Sequence, residues 1–265
     1  MTNLKDSPSF IYLCSTMNLP AAIFPNETYL DGLSQADPSV LESIYNEFRQ
    51  PIVKAVELAG GNYADGTAFF RVALIQMACL VKENKYPAEI PVEQFLQQLA
   101  IRQLLDWRME KTSEETPVQE LTEQELAIQE QLPTQDGLRY FRGMIKAKRT
   151  FYRLETEDQR QVLGIAQGIQ LGEMMNEYDV QNPALVKYKK NLGIVQAEPQ
   201  TLLEGHIVEA LTNQHFHLVW TACDAIEQRQ PSAQIPTGGE NKTIKYAFIT
   251  LMVLSLGYAI ISWFF

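Results

Sequence analysis

Apolar positions recur at three- and four-residue spacing through most of this chain, and no stretch alternates with the two-residue period of a strand. Leu41, Ile44, Tyr45, Phe48, Ile52 and Val56 mark one helical face that runs up to Gly60 and Gly61. Asp37 is placed to cap that helix and Pro38 suits its first turn, whereas Pro51 inside the run predicts a kink. Phe69, Val72, Ala73, Met77 and Leu80 predict a second helix over about residues 65–81. A charged loop over residues 82–91 leads to a third helix that opens at Pro91 and carries Phe95, Leu96, Leu99, Leu104 and Leu105. Residues 1–28 read as an irregular leader. Helical patterning resumes over residues 135–196 and again over a helical extension, residues 197–230, with Leu203, Ile207, Leu211, Leu218 and Trp220. The soluble part is expected to be all-α.

The pattern changes character at residues 244–265. From Tyr246 onward there is no charge and no proline for twenty residues, and twenty helical residues span roughly 30 Å, the thickness of a bilayer core. This segment reads as a single-pass tail anchor behind a flexible tether over residues 231–243, which contain Pro231, Pro236 and a Gly238-Gly239 pair. Lys242 and Lys245 precede it, and the bias of Lys and Arg toward the cytoplasmic side places the preceding domains in the cytoplasm.

Charge divides the rest. The chain of 265 residues carries 22 Lys and Arg against 32 Asp and Glu, a net charge of −10, which opposes nonspecific attraction to nucleic acid or anionic lipid. The imbalance is local. Residues 112–133 hold six Glu and no Lys or Arg, an acidic linker, read as a domain boundary over residues 112–134. Residues 139–192 reverse it with ten basic and six acidic side chains, among them Arg139, Arg142, Lys146, Lys148, Arg149 and Arg153 on one short stretch. Such a band points to a phosphate-facing surface; solvated helix faces are the plainer alternative. Cys14, Cys79 and Cys223 are far apart, with no CxxC pair, as for reduced thiols of a cytosolic domain. His206, His215, His217 and Cys223 do not match a compact zinc pattern, so no metal and no cofactor is expected. No nucleophile elbow, phosphate loop or carboxylate constellation points to an enzyme.

Residues 29–49 (YLDGLSQADPSVLESIYNEFR) resemble the opening of the helical core domain of alternative RNA polymerase sigma factors, most closely the short two-domain extracytoplasmic-function type. Residues 60–65 (GGNYAD), 69–74 (FFRVAL) and 97–108 (QQLAIRQLLDWR) fall where that family has its Gly-rich turn, its polymerase-binding helix and its promoter-melting helix. Residues 151–163 (FYRLETEDQRQVL), 171–177 (LGEMMNE) and 182–192 (NPALVKYKKNL) resemble the helix-turn-helix promoter-reading domain. Gln103 stands where the family usually has Asn, the acidic cluster before Phe69 is reduced to Asp65, and the helix-turn-helix lacks its usual Gly. The resemblance covers about 150 of the 265 residues. It implies an all-α chain with a sigma core-like domain at residues 29–111, a helix-turn-helix domain at residues 135–196 and a C-terminal transmembrane helix.

What the resemblance implies about function follows. RNA polymerase core and promoter DNA would be the partners, at a bacterial inner membrane, with a protease or an inhibitory regulator releasing or masking the protein. Arg102, Gln103, Trp107 and Arg108 are the candidates for melting: two cations for phosphates, an amide for a base edge and a ring for stacking, worth about 1–3 kcal/mol per base. Asp106 is expected to orient a neighbouring arginine. Lys187, Lys189 and Lys190 on the recognition helix, with Arg149, are the candidates for duplex contact, and Asn182 is placed to cap that helix. Phe69, Phe70 and Arg71 are the candidates for polymerase contact, with ordinary core packing as the alternative. A second reading keeps the fold and drops the DNA: a membrane-bound interaction protein that sequesters polymerase or a signalling partner. The two separate on whether the basic residues form one exposed patch or are neutralised by carboxylates.

Overall fold

A computed structural model describes residues 24–112, 132–173, 177–194 and 203–229. Residues 1–23 of the expected leader, most of the acidic linker, the tether and the tail anchor lie outside the described residues, whereas residues 26–28, expected to be irregular, open a helix. Among the described residues every regular element is a helix. The chain divides into two units, Met1–Cys223 and Asp224–Phe265.

Four helices form the first group: α1 (Asn26–Gln35), α2 (Pro38–Leu58), α3 (Tyr63–Lys82) and α4 (Val92–Thr112). Local chemistry sets their ends. Asp37 Oδ1 accepts from Ser39 N at 2.8 Å at the start of α2, where Pro38 loses no bond. A reciprocal capping box opens α3: Asp65 N donates to Asn62 Oδ1 at 2.9 Å and Asn62 N to Asp65 Oδ2 at 3.1 Å. Pro51 does not end α2, which continues to Leu58. Ile52, Val53 and Val56 beyond it are buried in the same core as Ile44 and Phe48 before it, so packing outweighs the one backbone bond that proline cannot make.

α3 packs against α1, α2 and α4 and is the central helix of this group. Phe70, Ala73, Leu74, Ile75, Met77 and Ala78 are wholly buried. It is also the one described helix long and apolar enough to cross a membrane, and most of it is inside the protein. An apolar helix enclosed on several sides needs no amphipathic stripe. Gly66 makes the close crossing with α2 possible, because a Cβ there would lie 2.9 Å from Val53 Cγ1 and 3.0 Å from Val53 O. The backbone oxygen cannot swing away as a side chain would. Gly66→Ala is therefore expected to lower stability by about 1–3 kcal/mol, read as a shift in the denaturant midpoint.

The second group comprises α5 (Gln135–Tyr152), α6 (Thr156–Gln170), the single turn α7 (Glu177–Val180), α8 (Pro183–Leu192) and α9 (Gly205–Thr212). α9 packs on α5 and α6, and α8 on the same pair. Asn182 Oδ1 accepts from Ala184 N at 2.9 Å and Leu185 N at 3.3 Å, with Pro183 at the first helical position. The core holds Leu138, Ile145, Val162, Leu185, Tyr188 and Ile207. α10 (Gln214–Arg229) follows α9 after a break at Asn213; its first half lays Phe216 against Phe141 at 5.8 Å between ring centres.

Candidate nucleic-acid and partner interface

Position on α4 decides what its candidate residues can touch. Gln103 and Asp106 are three apart, both face inward, and both are wholly buried. Gln103 Nε2 donates to Gln76 Oε1 of α3 at 2.6 Å. Arg142, reaching over from α5, donates from Nη1 to Gln103 Oε1 at 3.1 Å and from Nη2 to Asp106 Oδ2. The same Nη2 lies 2.7 Å from Glu110 Oε1, which also takes Arg139 Nε at 3.0 Å. Asp106 thus does orient an arginine, but one 36 residues away in sequence. Both ends of the Gln103 amide, expected to read a base edge, are engaged inside the protein, so no base reaches it in this form.

The other three α4 candidates are half-buried. Arg108 donates from Nη1 to the carbonyl of Ala59 at 3.1 Å and from Nη2 to that of Gly60, so its charge sits at the C-terminal end of α2, where a cation is favoured. Gly60, at φ 87°, supplies the left-handed turn that points those carbonyls toward it. Trp107 meets Phe69 edge-on, ring centres 5.8 Å apart. Arg102 is the α4 candidate with no described partner.

In the second group the basic residues separate into three kinds. Arg139 and Arg142 turn to the α4 carboxylates. Lys187 pairs with Asp158 at 2.7 Å and with Glu155 at 3.5 Å, and the Asp158 hydrogen bond raises its pKa. Lys148 is 2% exposed. Its ammonium lies 5.6 Å from the centre of Tyr152, 5.9 Å from Phe216 and 6.0 Å from Phe151. No carboxylate among the described residues pairs with it, and burial pushes its pKa down to about 8. Lys146 and Arg149 on α5, Arg153 at its C-terminal cap, and Lys190 on α8 have exposed side chains. Lys189 is half-buried, and burial lowers its pKa.

No family model, curated protein or solved structure matches this chain.

The polymerase candidates lie on α3. Phe70 is wholly buried and meets Tyr45 edge-on at 5.1 Å, while Phe69 is 7% exposed. Two adjacent aromatic side chains both reach the interior because α3 has neighbours on several sides. Neither presents a ring for a partner in this form. Arg71 lies over the Trp220 ring, 4.5 Å from its centre. The three imidazoles face separate partners: His206 Nδ1 lies 3.3 Å from Glu204 Oε2, His215 Nε2 lies 3.2 Å from the Ala78 carbonyl, and His217 Nδ1 lies 2.9 Å from the Tyr152 hydroxyl.

Two features escape a linear reading. The Gln76–Gln103–Arg142–Asp106 network joins residues from three helices, and nothing near Asp106 in sequence names its partner. Lys148 is different. It follows Leu138, Phe141 and Ile145 at three- and four-residue spacing, so the helical period alone places it on the apolar face of α5.

Proposed function

We propose that this chain is a membrane-tethered, sigma-factor-like regulator of transcription initiation. RNA polymerase core and promoter DNA are its partners, and residues 244–265 hold it at a bacterial inner membrane with its helical groups in the cytoplasm. The observation that carries the reading is the outward cationic edge of α5. Lys146, Arg149 and Arg153 lie three and four positions apart, all exposed, in a chain of net charge −10. Helix order supports it in part: α2, the glycine turn, α3 and α4 coincide with the stretches matched in the first group and α8 with residues 182–192, whereas residues 151–163 span the break between α5 and α6, and α7 starts only at the end of the 171–177 stretch. Such a protein changes no covalent bond. It supplies binding energy, phosphate contacts for position and aromatic stacking for captured bases.

The test is DNA retention by the full chain in lipid nanodiscs across a salt series. Replacing Lys146, Arg149 and Arg153 together by Gln should weaken binding to every duplex about equally. It should also flatten the plot of log affinity against log salt by about 0.9 for each phosphate contact removed. Lys187→Met, which removes a cation already paired with Asp158, should change the slope little. Binding that is absent even at low salt overturns the DNA part.

A second reading, an interaction protein that holds polymerase or a signalling partner and does not bind DNA, is favoured by one specific observation. Arg139, Arg142 and Lys187 are all taken up by carboxylates, and Gln103 is buried. Polymerase core retained without any DNA shift would select it.

A further inference from the structure

The two helical groups each have their own apolar core, yet where α4 meets α5 the seam between them is polar. Of the seven buried polar or charged residues among those described, Gln76, Gln103 and Asp106 belong to this one seam. α5 meets α3 and α4 far less closely than it meets α9. The other bridges across the seam are polar as well: His215 to the Ala78 carbonyl and Arg71 over Trp220. Beside them a cleft of about 250 Å³ stays unfilled, between Gln76, Cys79 and Leu80 of α3 and Tyr140, Phe141 and Met144 of α5. In the cluster itself, Asp106 Oδ1 is buried with no hydrogen-bond partner. A permanent junction would gain from apolar packing, since a buried ion pair returns little net stability against its desolvation. Polar, sparsely packed interfaces between compact groups are the ones that move.

We infer that the cluster centred on Asp106 and Arg142 is the clasp of a two-state joint, closed as seen here with α4 held to α5, and open in a second form that exposes the Gln103 face of α4. Opening hydrates Asp106, including its unpartnered oxygen, and gives Arg142 and Arg139 back to water. Closure is favoured by one guanidinium that bonds Gln103, Asp106 and Glu110 at once, so a single side chain sets the equilibrium. The consequence for function rests on the sigma-like reading: the closed form withholds from DNA the amide of the helix that would engage it, and also two of the arginines of the basic band. The joint itself is independent of that reading.

Distance measurement tests it. Spin labels go on Lys54→Cys in α2 and Arg160→Cys in α6, both exposed, in a full chain with Cys14→Ser, in nanodiscs. Cys79 and Cys223 are buried and escape labelling under native conditions. The unaltered pair should give mainly one short distance. Arg142→Gln should raise the ratio of long to short distances at least tenfold with helical circular dichroism retained. Glu110→Gln, at a more exposed carboxylate, should move it the same way by less. Asp106→Leu with Arg142→Met, which replaces the charges by apolar groups, should return the distribution to the short distance. Unchanged distances in Glu110→Gln, together with either unchanged distances or loss of helicity in Arg142→Gln, would overturn the joint. A joint that opens without any gain in DNA or polymerase retention would leave the clasp standing and remove the sigma-like reading.

Discussion

Phe70→Ala should lower folding stability by about 3–5 kcal/mol, enough to exhaust most of the stability of an ordinary domain. The ring is wholly enclosed at the centre of the first group, edge-on to Tyr45 at 5.1 Å. Its removal leaves a void lined by α2 and α3, which cannot close because the Gly66 crossing already brings the two backbones together. Phe70→Leu keeps most of the volume and should cost less than about 1.5 kcal/mol. The measurement is chemical unfolding followed by circular dichroism. A docking residue for polymerase would behave in the opposite way, with stability unchanged by alanine and retention of core enzyme lost. Unchanged stability in Phe70→Ala would therefore return this residue to the partner surface.

Lys148→Met should do the reverse and stabilise the protein by about 1–3 kcal/mol at neutral pH. Methionine fills nearly the same space between Phe151, Tyr152 and Phe216 and leaves no charge to bury. The gain falls short of the full burial cost because the three rings attract the ammonium. The pH dependence carries the diagnosis. Lys148 has a folded pKa of about 8 against 10.5 when unfolded. Below pH 8 both states hold the proton, and the folded state bears the whole cost of a buried charge. Between pH 8 and 10.5 the unfolded chain binds more protons than the folded one, so stability supplied through this group rises with pH. The advantage of the methionine variant should accordingly fade across that window. The comparison is made as a difference between the two proteins, because the raised pKa values of Cys79 and Tyr188 pull stability down at the alkaline end in both. An advantage that stays constant from pH 7 to 10.5 would mean that Lys148 is not buried as a cation.

Both predictions reverse what residue type alone suggests. An aromatic pair next to an arginine reads as a contact surface, and a lysine inside a basic band reads as a phosphate ligand. The distinction lies in which side of a helix is covered, and by how many neighbours.

The sequence by itself determined the parts of this protein that depend on residues within one or two turns of each other. Asp37 with Pro38, Asn62 with Asp65, and Asn182 with Pro183 mark helix starts because a side chain two or three positions back satisfies amides that the helix cannot. The repeat of apolar positions determined the all-α class and the courses of α2, α3 and α4; the same repeat holds Lys148 on the inward face of α5, which its place in a basic band had masked. Tertiary structure alone decided the rest. Phe69 and Phe70 are both enclosed, because α3 is surrounded. Gln103 and the arginines of α5 face each other rather than DNA, because two helices from different helical groups meet there. A hydrogen bond between residues 36 positions apart leaves no trace in the spacing of either helix, and burial, which sets whether a charge is a ligand or a liability, exists only once the chain has packed.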